Sequence, residues 1–299
     1  MAAEPAASSP YYSLASFALF GPLSFIYSLT ANLYFRVLTK VYNRQIPSIQ
    51  SVTPPRLCGR TVAIVTGSNT GIGFETARSL VLEHDVTVIL ACRSRDKGEQ
   101  AAARINNRQR KIGSDDSGSS TSTSATAKAV FLQPLDLTST TSIRDFGRAL
   151  QASSEYRKVH ILVNNAGRNT NGVNSSNNKN NATDELMVDT DLLFQSNFLG
   201  HFLLTAELLR LNVLVEQARV VNLSSVMHHF CKGPVESVEY WRQCGLAVTV
   251  TADSTAATAT GSITETYSPS KLAAQLFTNE LNRRYASRLR SIAVNPGAV

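Results

Sequence analysis

From about position 60 onward, short and wholly apolar runs alternate with amphipathic stretches, and the first run passes through a glycine-rich turn into a helical pattern. Strands that are apolar throughout must be covered on both faces, and regular strand–helix alternation joins them in parallel. These observations predict an α/β fold of the Rossmann type, a doubly wound parallel sheet, over residues 60–299.

The elements follow in order. TVAIVTG (61–67) predicts a buried strand and 71–83 a helix; VTVILAC (86–92) a second strand and 96–106 a second helix. AVFLQPLDL (129–137) is a third strand, followed by a helix over 141–152. VHILVNNAG (159–167) is a fourth, followed by a long helix over 186–215, and RVVNLSSV (219–226) is a fifth. A helix over 267–287 precedes a sixth strand, RSIAVNPG (290–297). Three polar stretches, 106–128, 168–183 and 249–266, fall between elements and read as surface loops. No internal repeat is present.

Ahead of the domain, a tail (1–13) leads into residues 14–35, LASFALFGPLSFIYSLTANLYF, without a charge. As a helix this segment would be about 33 Å long, enough to span a bilayer core. Tyr11, Tyr12, Tyr27 and Tyr34 include rings near both ends, and Arg36, Lys40, Arg44, Arg56 and Arg60 follow with no acid among them. Aromatic belts and the positive-inside rule predict a membrane anchor whose basic flank, the linker 36–59, stays cytoplasmic. A helix lying on the membrane surface is the alternative, since Ser16, Ser24, Ser28, Thr30 and Asn32 dilute the apolarity and Gly21-Pro22 would kink it. A cleaved signal peptide would require a basic start, and only Glu4 stands there.

Hydrophobic residues make up 43% of the chain, so most of it can bury a core. The formal charge of +7 is spread along the sequence, which argues against nucleic acid and for anionic phosphates or a membrane surface. Cys58, Cys92, Cys231 and Cys244 lie far apart without a CxxC pair, which argues against a metal site or a disulfide framework and fits a reducing compartment.

Thr66-Gly67-Ser68-Asn69-Thr70-Gly71-Ile72-Gly73 stands directly after a strand and before a helix. Glycines there permit a tight turn and let backbone approach a pyrophosphate at the positive helix N-terminus. Residues Gly67 to Gly73 are therefore candidate cofactor ligands. About 20 positions beyond such a loop, an acid selects NAD by bonding its ribose, whereas Arg receives the 2′-phosphate of NADP. That place, in ACRSRDKGE, is held by Arg93 with no acid at the strand end and with Arg95 nearby. NADP(H) is the expected cofactor.

The TGSNTGIG loop, spaced GxxxGxG, closely resembles that of the short-chain dehydrogenase/reductase family, and further motifs arrive in the family's order. The resemblance implies that Asp136 in LDL contacts the adenine and that Asn164, Ala166 and Gly167 of the NNAG turn shape the cofactor cleft. Asn197 in QSNFLGHFLLT aligns with the residue that holds a proton-relay water. Ser225 in VNLSSV matches the catalytic serine, chosen over Ser224 by alignment, and Tyr267 and Lys271 form the YxxxK pair. Pro296 and Gly297 of the closing NPG join the cofactor set.

The chemistry accounts for these residue types. Reducing a carbonyl needs a proton at oxygen, and a tyrosine pKa of about 10 is too high for efficient exchange at neutral pH. A lysine four residues on shares the helical face, and its charge favours phenolate; the resemblance also gives Lys271 and Tyr267 contacts to the nicotinamide ribose. Ser225 can hydrogen-bond the substrate oxygen as charge develops there.

GSNTGIGFETA, ILACRSRDKGE, NFLGHFLLT and VNLSSVMHH resemble the membrane-anchored retinol dehydrogenase branch, although light-dependent protochlorophyllide reductases and WW-domain oxidoreductases share much of the pattern. The resemblance implies a small apolar carbonyl or alcohol substrate of the retinoid, steroid or lipid-aldehyde class. It also implies an endoplasmic reticulum membrane with the catalytic domain facing the cytosol, and leaves room for a homo-oligomer. Two features depart from that branch. Ser225 and Tyr267 stand 42 positions apart, a longer gap than expected, and the chain stops at NPGAV, so the domain is expected to be C-terminally incomplete. The second reading is therefore a catalytically weak, membrane-tethered NADP(H)-binding protein with a sensing or scaffolding role.

Overall fold

A computed structural model describes residues 61–115, 127–168, 192–231, 233–245 and 263–297. Six parallel strands form one sheet in the order β3-β2-β1-β4-β5-β6. They are β1 (Val62–Thr66), β2 (Thr87–Ala91), β3 (Ala129–Val130), β4 (Val159–Asn164), β5 (Leu214–Leu223) and β6 (Leu289–Val294). Every residue of β1 and β2 is buried, as strands covered on both faces require.

A strand sends alternate side chains to opposite faces, and β1 divides its residues in this way. Ala63 and Val65 pack with Phe74, Ala77 and Ile105 from α1 (Gly71–Leu82) and α2 (Arg95–Asp115). Val62 and Ile64 join Phe146, Leu204, Leu208 and Leu281 from α3 (Thr140–Ala152), α5 (Gly200–Arg210) and α7 (Ile263–Tyr285). The strand order reverses at β1, which pairs with β2 on one side and β4 on the other. In open α/β sheets ligands bind in the crevice beyond the carboxyl ends of the strands at such a reversal.

Several boundaries differ from the sequence reading. The strand expected over 129–137 keeps only two residues in the ladder. Asn106 pins this short strand, accepting from Ala129 N at 2.8 Å and donating to its carbonyl at 2.9 Å. Beyond it Pro134 has no N–H to donate, and Leu135 N reaches Cys92 O at 3.0 Å. α2 runs on to Asp115, into the stretch read as loop.

The helix expected over 186–215 is composite, with residues 186–191 outside the described ones. Leu192–Phe194 (α4) leads into a π-helical turn, Gln195–Leu199, and then α5. It ends at Arg210 because Asn212 adopts φ +53°, a left-handed geometry that asparagine tolerates, and β5 starts at Leu214. Gln217 also has positive φ within β5. β4 and β6 end at Asn164 and Val294, earlier than expected. A 3-10 turn at Val226–Phe230 and the helix α6 (Val238–Gly245) were not signalled by the sequence. α7 begins inside the expected 249–266 loop. The rest of that loop, 169–183 and 116–126 lie outside the described residues.

Residues 1–60, which hold the expected tail, anchor and linker, also lie outside them. Among the described residues no helix is long and apolar enough to cross a membrane. Pro296 and Gly297 fall outside the compact unit that holds the sheet, and Gly297 has φ +81°.

Candidate active site

The turn from β1 into α1 is built for close approach. A Cβ on Gly67, whose φ is +64°, would come within 2.9 Å of the Ala166 Cα. One on Gly73 would meet Asn165 Nδ2 at 2.4 Å and the Gly67 carbonyl at 2.6 Å. These glycines let the turn seat directly on the turn after β4. Thr70, the N-cap of α1, makes no side-chain cap bond, and the first turn holds no acid. The helix therefore presents uncapped amides and a positive dipole end to an anion.

A cavity of about 450 Å³ opens above this turn. Gly67, Asn69, Thr70, Ile72 and Gly73 form its floor, Arg93 and Asp136 stand at the β2 and β3 side, and Ala166, Gly167 and Arg168 close the β4 side. Ser68 and Gly71 are not on its wall; the Ser68 hydroxyl is buried without a partner. The Asp136 carboxylate is held by Thr138, whose N and Oγ1 donate to Oδ1 at 2.9 and 2.7 Å. Arg93 is exposed on the wall. Arg95, expected to assist it, instead bonds Glu99 at 3.1 Å and lies over the Phe131 ring at 5.5 Å.

Of the paired asparagines, Asn165 reaches the cavity and Asn164 does not. Asn164 is the last residue of β4, and its Nδ2 donates to Asn222 Oδ1 at 2.8 Å and Thr205 Oγ1 at 3.2 Å. Asn222 in turn donates to Thr278 on α7 at 2.9 Å. Asn164 thus ties β4, β5 and two helices together in the interior, which corrects its assignment to the cofactor cleft. Asn165 donates through Nδ2 to Thr66 O at 2.7 Å.

Thr66 and His201 form a hub that the sequence reading missed. The Thr66 hydroxyl oxygen accepts from Asn165 N and Ala166 N, both at 2.9 Å, and lies 2.8 Å from His201 Nε2. His201 Nδ1 lies 3.2 Å from the Asn197 carbonyl, which can only accept, so Nδ1 carries the proton. Nε2 is then an acceptor and takes the Thr66 hydroxyl proton, in preference to the longer 3.4 Å contact with Val163 O. Burial pushes the His201 pKa down to about 4, so the ring is neutral at physiological pH. The chemical signal was present: a histidine four residues after Asn197 on one helical face.

Asn197 stands on the π turn and uses its whole carboxamide. Oδ1 accepts from Arg168 N and Nδ2 donates to Arg168 O, both at 2.8 Å, with Ser270 Oγ at 3.3 Å. A Cβ on Gly167 would lie 3.2 Å from Asn197 Oδ1 and 3.6 Å from Lys271 Nζ, so these three residues converge. Lys271 is 6% exposed, donates to Leu223 O at 3.1 Å and sits 5.4 Å from the Tyr267 ring centre. Burial lowers its pKa to about 8, which leaves it mostly protonated at pH 7.

The serines after β5 part company. Ser224 is buried and donates to Lys271 O at 2.9 Å. Ser225 is partly buried and its Oγ accepts from Met227 N at 3.3 Å, capping the 3-10 turn. That geometry favours Ser225 as the serine left for a ligand.

The comparisons agree with this architecture. The family model for short chain dehydrogenases matches residues 61–240. Mouse retinol dehydrogenase 11 is 36% identical over 241 residues, covering 80% of this chain and 61% of the relative. Human retinol dehydrogenase 12 is 35% identical, with the same coverage of each chain. Chicken WW domain-containing oxidoreductase is 34% identical, covering 79% and 48%. Among solved structures, a short chain dehydrogenase from Salmonella enterica serovar Typhi superposes with a TM-score of 0.52 at 21% identity, covering 80% of this chain and 76% of that one. A metagenomic short-chain oxidoreductase in complex with NADP gives 0.50 at 20% identity, covering 80% and 83%. The chain belongs to the short-chain dehydrogenase family, in its retinol dehydrogenase branch. It spans about three fifths of the length of the retinol dehydrogenases it matches.

Proposed function

We propose that the protein is an NADP(H)-dependent oxidoreductase acting on the carbonyl or alcohol of a small apolar substrate of the retinoid, steroid or lipid-aldehyde class. Arg93 carries the cofactor reading: it stands on the cavity wall at the end of β2, where an acid would favour NAD. The uncapped α1 N-terminus and the space a Cβ would fill at Gly67 and Gly73 fit a pyrophosphate. Asp136, Ala166 and Gly167 complete that half of the site, with Pro296 and Gly297 assigned to it by family resemblance.

The nicotinamide, when bound, gives or takes the hydride. The proton is this chain's task. Tyr267 donates it to the substrate oxygen in reduction and accepts it in oxidation. The Lys271 ammonium stands one turn along α7, 5.4 Å from the Tyr267 ring centre. Ser225 donates to the substrate oxygen as negative charge develops. Asn197 sets the rim of the cleft through Arg168 and is the relay residue.

Purified full-length protein, assayed with NADPH or NADH against retinal and other apolar aldehydes, tests the reading. Turnover with tighter binding of NADPH is expected. Equal or tighter NADH binding breaks the cofactor assignment, and absence of turnover on the whole panel breaks the enzyme assignment.

We also propose an endoplasmic reticulum anchor at residues 14–35 with the catalytic domain in the cytosol. Carbonate extraction should leave the protein in microsomal membranes while added protease digests the domain. Glycosylation at the Asn174 or Asn181 sequons would place it in the lumen instead.

A further inference from the structure

Arg93 and Arg168 are the two arginines among the cavity's lining residues, and Asp136 is the one acid. No carboxylate of the described residues forms an ion pair with either arginine. Next to Arg168, a Cβ on Gly167 would lie 3.6 Å from the buried Lys271 ammonium. Positive charge thus gathers along one cleft at an electrostatic cost that an anionic ligand would offset.

The place of Arg168 is fixed independently of its side chain. Both of its backbone polar groups are bonded to the Asn197 carboxamide at 2.8 Å. Two residues earlier, Ala166 stands against Gly67, at 2.9 Å from where a Cβ of that glycine would be. Two residues of chain span at most about 7 Å, so Arg168 stands on the β4 rim beside the glycine turn. Arg93 lines the same cavity from the other side of the glycine turn, two residues beyond Ala91, whose carbonyl accepts from Gly67 N at 2.8 Å.

We infer that Arg168 binds the diphosphate bridge of the dinucleotide from the β4 rim, opposite the α1 N-terminus. The inference rests on the dinucleotide reading above and adds a contact indifferent to the 2′-phosphate. Arg93 discriminates between the two dinucleotides; Arg168 strengthens both alike. Arginine suits the position because its planar fork pairs with two phosphate oxygens at once.

Dissociation constants of full-length protein for NADPH, NADH and adenosine 2′,5′-bisphosphate, which has no diphosphate bridge, provide the test. Arg168→Leu should weaken NADPH and NADH by the same factor, about tenfold or ~1.4 kcal/mol. Adenosine 2′,5′-bisphosphate should change less, and Arg168→Lys should recover part of the loss. Ligand-free thermal unfolding should match the unsubstituted protein, because the bonds to Asn197 are made by the main chain. Unchanged NADPH binding by a folded Arg168→Leu overturns the inference, as does a loss confined to NADPH and adenosine 2′,5′-bisphosphate. If the unsubstituted protein binds none of the three, the dinucleotide reading falls as well.

Discussion

At the nucleotide end of the cleft the floor is largely main chain: two glycines in contact with the next turn, and an uncapped helix end. Arg93, the cation proposed to read the 2′-phosphate, stands exposed on the wall. At the proposed catalytic end, buried polar side chains hold one another behind Tyr267 and Ser225. Thr66 is bonded to His201, His201 to Asn197, Asn197 to Arg168 and Ser270, and Lys271 to Leu223. The first construction offers a ligand shape and dipoles, with single exposed side chains around it. In the second, each group removed leaves a buried partner unsatisfied, at a cost of about 1–3 kcal/mol apiece.

The largest expected effect separates the two ends. Tyr267→Phe keeps the ring and removes the transferable proton. It should lower kcat by roughly 10²–10⁴-fold, the scale of general acid–base help, with NADPH affinity unchanged. Near-normal turnover by the folded variant would reduce the YxxxK match to a helix surface.

The next effect probes the buried network through acid. His201 has a folded pKa of about 4 against an ordinary 6.5. Between those values the unfolded chain binds a proton that the folded one does not, so stability is full above pH 6.5 and falls as the pH drops toward 4. The shift corresponds to about 3 kcal/mol. Denaturant unfolding at pH 7 and pH 4.5 should show this acid loss, and His201→Gln, which keeps a donor and an acceptor, should shrink it. An identical acid loss in the variant would assign the effect to other groups.

The legibility of the sequence follows the same division. The glycine turn and the succession of strands and helices could be read because they depend on local spacing and on apolar runs. Burial of β1 and β2 needs nothing more than their composition. The side on which each asparagine of the NNAG turn falls could not be read, since it depends on where β4 ends: Asn164 is still in the strand and Asn165 is past it. The Thr66–His201 bond joins residues 135 positions apart, and no local pattern announces it. The early end of the helix at Arg210 turned on one residue, Asn212, taking a left-handed conformation that a helical period does not reveal.

Smaller effects belong to the nucleotide end. Arg93→Asp removes a charge-assisted contact to the 2′-phosphate and puts an acid where a ribose hydroxyl can meet it. NADPH binding should weaken by about 1.5–3 kcal/mol, while NADH binding holds or improves, as direct titration would show. Parallel losses for both dinucleotides would mean that Arg93 does not read the 2′-phosphate.

The smallest effect is expected two residues away, at Arg95. The sequence offers it as a helper to Arg93, but its guanidinium is committed to Glu99 at 3.1 Å and lies over Phe131, and it is not on the cavity wall. Both members of that ion pair are more than half exposed, at 56% and 54%, where such pairs contribute about 0–1 kcal/mol. Arg95→Ala should therefore leave the NADPH dissociation constant unchanged and shift unfolding by no more than about 0.5 kcal/mol. The paired measurement sharpens the contrast, because charge is removed from the same strand end in both variants. If Arg95→Ala weakened NADPH as much as Arg93→Asp, a general positive field would be drawing in the cofactor, and the specific contact assigned to Arg93 would be wrong.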